Sequence, residues 1–315
     1  GKHPYAEPIS GTQRSISKIT PLQLKQFSNQ FLVAQNMNIA ITGQLSAKEA
    51  LKLSERIAGN LKQGEKAQAL PEPIDKSSFD IRHIASDSSQ AHVMMGHLGT
   101  SRFDSDRLAL EIANQMFGGS GFNSILMQEL RVKRGYTYGA YSTFSFSQVQ
   151  GTFSFSYSTR QDQLLSSVQV AHQALIDFVT QPIDLNQLAE TKAGMLRAFP
   201  NNYSSNANIN AQLGAMGFYH QAADYLSQYP KLLEKINAQD VQNAIQKHLH
   251  PERLTLIVVN DQLDKTALET RLKQNLNPHT AQPLPTENLP NILNPPEKEV
   301  IDLPVSFPTD APEAI

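Results

Sequence analysis

The chain contains no cysteine, which excludes disulfides, thiol catalysis and Cys-ligated zinc and leaves the compartment undecided. It also lacks any apolar run near the roughly 20 residues that span a bilayer. The opening residues Gly1-Lys2-His3-Pro4-Tyr5 have no apolar centre of the kind a signal peptide carries. No membrane insertion is expected. Lys plus Arg number 27 against 29 Asp plus Glu, a formal charge of −2, and no basic run stands out that could track a phosphate backbone. Nucleic acid is therefore not an expected partner. None of the nine histidines has another four residues on, so neither His-Glu-x-x-His nor His-x-x-Glu-His is present. No serine lies in Gly-x-Ser-x-Gly, and no Gly-Lys-Ser/Thr ends a phosphate loop.

What is present is an internal echo. At an offset of 217 residues, Ile19-Thr20-Pro21-Leu22-Gln23-Leu24 lines up with Ile236-Asn237-Ala238-Gln239-Asp240-Val241, and the apolar run Met37–Ile41 with Leu254–Val258. Each copy reads as a capped helix followed by a buried-type strand, with Thr20 and Asn237 as N-caps and Pro21 at the first helical position. The shared register favours a duplicated domain. The expected organisation is residues 1–61 as the closing part of a truncated first domain and 62–77 as a polar, proline-containing linker. A complete second domain follows over 78–275, and a proline-rich extended tail over 276–315. Nine of the eighteen prolines follow Leu276.

Within the second domain, Ala91–Leu98 reads as a strand and Asp104–Phe117 as a helix with Leu108, Ile112 and Met116 on one face. Gly118 and Gly119 stop that helix. A shorter one follows over Asn123–Lys133, closed by Gly135. The alternation Phe144-Ser145-Phe146-Ser147 and Phe153-Ser154-Phe155-Ser156 marks two strands, Tyr138–Ser147 and Gly151–Thr159, of a sheet covered on one face. Helical patterns occupy 161–180, 186–199, 206–218 and the stretch after Asn237. Strands mixed with runs of helices give the fold class: α+β, two homologous antiparallel sheet plus helix layers, the first truncated.

Two residues stand out for chemistry. Arg131 closes the short helix and Tyr138 opens the next strand, so a guanidinium and a phenol meet at a helix-to-strand junction where they could grip a peptide backbone. On spacing alone, Arg131 also reads as a solvated helix residue and Tyr138 as a strand aromatic with its hydroxyl at the rim. Gly118-Gly119-Ser120-Gly121 reads as a helix stop and tight turn rather than an anion cradle. His92 and His97, five apart on a strand, fall on opposite faces, and His248 and His250 flank a helix end, where a cation complements the dipole. No metal or cofactor site is expected in this chain.

The run Phe117-Gly118-Gly119 through Leu130-Arg131-Val132-Lys133-Arg134-Gly135-Tyr136-Thr137-Tyr138 resembles the second-half motif of the insulinase/pitrilysin family of zinc metallopeptidases. Residues 3–45, with His3-Pro4-Tyr5, Gly11-Thr12 and Gly43-Gln44-Leu45, resemble the closing part of that family's first domain. In the family two homologous α+β domains face each other across a cavity, the first carrying the inverted zinc motif and the second an arginine and a tyrosine. The resemblance implies that Arg131 and Tyr138 bind substrate and polarise the scissile carbonyl. It implies zinc only in the complete peptidase, on an N-terminal half or a partner subunit, with a peptide or unfolded polypeptide as substrate lying extended along an exposed strand. The fragment alone is then inactive. Self-association through the truncated first domain is also expected; the localisation is left unknown by the residues, and a periplasmic address is only a guess from the family's habits and the missing cysteine. Two other readings stay open: a structural, catalytically inactive homologue like the respiratory-complex core subunits, and a metal-independent peptide-binding module.

Overall fold

Side-chain caps start the first helices. Thr12, Thr20 and Ser46 each accept from the backbone N–H three residues on, and Ser15, Gln23 and Glu49 bond back. Capping boxes thus open α1 (Gln13–Ile16), α2 (Pro21–Phe31) and α3 (Ala47–Ala58), satisfying donors that a helix start leaves unpaired. The structure, a computed structural model, describes residues 3–75 and 78–277; the stretch expected as a proline-rich tail lies, from residue 278 on, outside the described residues. Among the described residues before 76, Val33 is the one buried hydrophobic side chain. Leu22, Leu24 and Phe27 of α2 and Leu51 and Ile57 of α3 are exposed.

Five strands form one sheet: β1 (Asp80–Ala85), β2 (Gln90–Leu98), β3 (Ala140–Ser145), β4 (Thr152–Arg160) and β5 (Thr255–Asn260), in the order β1-β5-β2-β4-β3. All neighbours are antiparallel except β1 and β5, which run parallel. The whole stretch between them serves as the long crossover that a parallel pair requires. Period-two patterning decides the faces. Ala91, Val93, Met95 and His97 of β2 and Phe153, Phe155 and Tyr157 of β4 are buried, while His92, Met94 and Thr152 are exposed and Ser154, Ser156 and Ser158 half-buried. His92 and His97 do fall on opposite faces. Phe144 pairs with Phe153 across β3 and β4, as the Phe/Ser alternation requires.

The helices of this part are α4 (Arg107–Asn114), α5 (Leu164–Thr180), α6 (Leu185–Ala198), α7 (Asn206–Phe218), α8 (Tyr225–Lys235), α9 (Ala238–His248) and α10 (Lys265–Leu276). Six of these seven contribute side chains to the core under the buried face, α7 being the exception. Asp184, Ser205 and Asn237 cap α6, α7 and α9 with side-chain bonds. Phe117 sits at the centre of the core, its ring 5.3 Å from Phe178, 5.5 Å from Phe155 and 6.0 Å from Phe153. Each such aromatic removed from water contributes about 1.5–3 kcal/mol.

The α+β class is as expected, and three details differ. Residues 37–41 enter no ladder; instead Asn38 Nδ2 donates to Gly214 O at 2.8 Å and Thr42 Oγ1 to Asn206 O at 3.2 Å, so this segment lies on α7. An apolar run becomes a strand only beside another strand that satisfies its N–H and C=O groups. β3 begins at Ala140, two residues after Tyr138, because the Thr137 hydroxyl donates to Gly139 O and accepts from Gly139 N, turning the chain just before the ladder starts. The helices before and after the glycine turn are wider than α: Ser120 N bonds Gln115 O at 3.1 Å and Lys133 N bonds Gln128 O at 3.0 Å, five residues back in each case. Such π segments are frequent at functional sites.

Candidate functional site

Three local devices build the junction. Gly118, in the last turn of the first helix, lies hard against β3, where an added Cβ would be 2.6 Å from Ser142 N. Gly121, at φ +72, then turns the chain into a short 3-10 turn, Gly121–Asn123. That turn is bonded on several sides: Ser124 Oγ donates to Gly121 O at 2.7 Å, Gln128 Nε2 to Phe122 O at 2.7 Å, and Gln187 Nε2 to Asn123 O at 3.3 Å. At the far end, Gly135 at φ +64 closes the helix, with Gly135 N on Arg131 O at 2.9 Å and Tyr136 N on Leu130 O at 2.8 Å. A left-handed residue there is the usual way to satisfy the last carbonyls.

The cations of this helix divide their work. Lys133 and Arg134 both bond the Glu129 carboxylate, and Arg134 Nη1 also reaches Glu129 O at 2.9 Å. Burial pulls the Glu129 carboxyl upward, but the bonds from Lys133 and Arg134 outweigh it and hold it below its ordinary value. Arg131 is left for the junction. Its Nη1 donates to the main-chain carbonyl of Tyr138 at 2.7 Å, and its guanidinium carbon sits 4.5 Å from the centre of the Phe122 ring. Its other N–H groups have no acceptor among the described residues.

The structure therefore brings Arg131 and Tyr138 together, through the Tyr138 backbone and not its hydroxyl. Tyr136 and Thr137 are buried, Thr137 Oγ1 closes a turn onto Gly139, and Tyr138 projects outward with 85% of its surface exposed. The phenol is thus presented to whatever approaches. Phe122, 59% exposed, is the contact that sequence reasoning missed; only the glycines on one side of it hinted at a turn.

The junction adjoins open surface. β3 is an edge strand of the sheet, and a shallow depression of about 480 Å³ beside it is lined by His92, Met94, Gly139, Tyr141, Ser156 and Ser158. A larger cavity of about 780 Å³ lies at the other end of the open sheet face, between Pro71–Asp75 and Met94, Gly96 and Leu98. It includes neither Arg131 nor Tyr138.

Among the described residues, Asp104, Asp106 and His248 are the group of carboxylates and imidazoles close enough to share a metal. They do not fit zinc. Lys247 Nζ lies 2.7 Å from Asp106 Oδ2, holding that carboxyl below its ordinary value, His248 Nε2 is 3.0 Å from the same oxygen, and Thr100 Oγ1 donates to Asp104 at 2.6 Å. An ammonium is already bonded to one of the three candidate ligands. His97 and His172 are buried beside backbone carbonyls, at 2.7 Å from Leu98 O and 3.1 Å from Pro251 O. Desolvation depresses both to about 4.

The α+β layer has the fold of the inactive type of domain in zinc-protease-like proteins. Residues 18–195 match the family model described as the peptidase M16 inactive domain, and the chain belongs to that family. It is 25% identical over 249 residues to an uncharacterized zinc protease of Rickettsia felis, covering 78% of this chain and 58% of that protein. It is 26% identical over 263 residues to the non-peptidase homolog YmxG of Helicobacter pylori, covering 82% and 60%. The crystal structure of a peptidase M16 inactive domain from Pseudomonas fluorescens superposes with a TM-score of 0.79 at 32% identity, covering 84% of this chain and 62% of that one. The chain thus spans about three-fifths of the length of these relatives.

Proposed function

We propose that the chain is the non-catalytic C-terminal half of a zinc metalloendopeptidase, and that Arg131 and Tyr138 are its contribution to an active site whose zinc is held by an N-terminal half or a partner subunit. The observation that carries this reading is the junction itself: a guanidinium bonded to Tyr138 O that keeps N–H groups free, beside an outward-facing phenol. Both are hydrogen-bond donors. Placed against a peptide carbonyl they would orient it and stabilise negative charge developing on its oxygen. β3, which starts two residues on, is an edge strand, and an extended peptide would add beside it by strand addition, past Ala140, whose N–H already donates to Met127 Sδ. In this reading residues 1–61 close a truncated first domain, 62–77 link it to the next, and 78–275 form the second domain. The exposed apolar faces of α2 and α3 are then surfaces that the rest of that first domain would cover.

The test is reconstitution. Mixed with the zinc-bearing half, the chain should support hydrolysis of unstructured peptides that neither half performs alone, and chelation should abolish it. Full activity of the zinc-bearing half without this chain would contradict the proposal.

The similarity to a non-peptidase homolog favours a second reading, a structural homologue that keeps the fold without the chemistry. Absence of the inverted zinc motif from the sequence upstream of Gly1 and from any partner would select it. A metal-independent peptide-binding module would instead bind extended peptides without any second half, which calorimetry on the chain would reveal.

A further inference from the structure

We propose that Phe122 is a positioning residue for Arg131 and that its open ring surface gives the same site a preference for peptides with an apolar side chain beside the bound carbonyl. The specificity part rests on the reading of Arg131 and Tyr138 as a peptide-binding pair; the positioning part does not. Among the described residues, the Arg131 side chain has one hydrogen bond, to Tyr138 O. A planar group held at a single nitrogen can still rotate about its Nε–Cζ and Cδ–Nε bonds. The Phe122 ring, 4.5 Å from the guanidinium carbon, covers one face of the group, excludes water there and favours one orientation through the cation–π attraction.

An aromatic ring 59% exposed on a loop would ordinarily be mobile, and a mobile ring could not orient anything. This one is carried by a turn whose backbone is fixed by Ser124, Gln128 and Gln187, the last reaching across from α6 to both Met116 O and Asn123 O. The helix that carries Arg131 supplies Gln128, so ring and guanidinium belong to one rigid unit. A peptide carbonyl accepting from the free N–H groups of Arg131 would sit about 2.9 Å from them. The side chain next to that carbonyl then falls within reach of the uncovered ring surface. An apolar side chain gains contact there, and a charged one loses water without a partner.

Two readouts separate the claims. In the intact chain labelled with ¹⁵N/¹³C-arginine, the Arg131 Nε–Hε resonance, assigned with Arg131→Lys, should report restricted rotation of the guanidinium. Phe122→Ala and Phe122→Leu should release it, and Phe122→Trp should retain it, because the effect needs a π face and not bulk. Equal restriction in all variants, or Leu behaving as Trp does, overturns the positioning role. In the complete assembly, a peptide library should show an apolar preference at one position that Phe122→Ala weakens by about two- to fivefold in kcat/KM. An unchanged preference overturns the specificity claim. If Arg131→Ala and Tyr138→Phe are also silent in the assembly, the peptide-binding reading falls along with the specificity claim, while the guanidinium rotation still decides the positioning role.

Discussion

Arg131 donates to the backbone carbonyl of Tyr138 at 2.7 Å, seven residues on, so the helix end and the start of the sheet's edge are fastened by the arginine while the tyrosine's phenol is left free. The bond makes Arg131 both a strut and a donor. Arg131→Ala should therefore do two things: weaken peptide turnover in the complete assembly and loosen the junction, lowering stability by about 1.5–3 kcal/mol for the loss of a charged hydrogen bond. Tyr138→Phe should leave stability within about 0.5 kcal/mol, as expected of an exposed group. Chemical denaturation of both variants distinguishes the two roles; equal destabilisation would mean that the phenol also has a structural partner.

Gly118 should tolerate no side chain. A Cβ there meets Ser142 N and Oγ at 2.6 Å, and the hydroxyl could rotate away but the backbone nitrogen cannot. Gly118→Ala should cost about 1–3 kcal/mol, the range of overpacked sites, read as a lowered melting temperature. A wild-type melting temperature would show that the helix end and β3 can separate.

Much of the architecture is written in local chemistry. α9 is legible because Asn237 announces its start, α6 and α7 from their helical patterning, and β4 because its Phe and Ser residues alternate strictly. α8 was not read, since Pro230 inside it breaks the pattern that marks a helix, and α10 carries only a weak apolar stripe. Residues 37–41 show the opposite failure: the apolar run was visible, but whether it forms a strand depends on a neighbour that sequence does not display. At the site, Arg131 and Tyr138 were found through a family motif. The stacking of Phe122 on Arg131 depends on a left-handed glycine and a widened helix, neither of which leaves a periodic trace.

Stability should fall on mild acidification. His97 and His172 ionise at about 4 in the folded protein, chiefly because burial disfavours their charge, against about 6.5 in the unfolded chain. Between pH 6.5 and 4 the unfolded state binds protons that the folded state refuses, so stability decreases as the pH drops through that window, by about 3 kcal/mol per histidine at pH 4. Above pH 6.5 neither group contributes a slope. Urea midpoints at pH 7, 5.5 and 4 check this; a flat profile down to pH 4 would show that both imidazoles are hydrated or charged in the native state.

Purified chain should carry far less than one zinc per molecule. The Asp104, Asp106 and His248 group is already bonded to Lys247 and Thr100. Stoichiometric zinc that chelators remove and that His248→Ala abolishes would contradict this and reopen the question of a metal site within the chain.

Residues 1–61 should mediate concentration-dependent self-association when no other half is present, through Leu22, Leu24, Phe27, Leu51 and Ile57, which are exposed. Sedimentation velocity across a hundredfold concentration range tests it. A strictly monomeric species throughout would mean that these side chains are covered by some other part of the chain.

The central claim is that Tyr138 belongs to an active site completed by another half, and the turnover of that complete assembly with Tyr138→Phe tests it most directly. The substitution removes one hydroxyl from an exposed ring and should lower kcat by about 10²-fold or more, the scale of losing one donor to a developing oxyanion, with zinc content and stability unchanged. A kcat equal to that of the wild type would contradict the account and return Tyr138 to an ordinary surface aromatic.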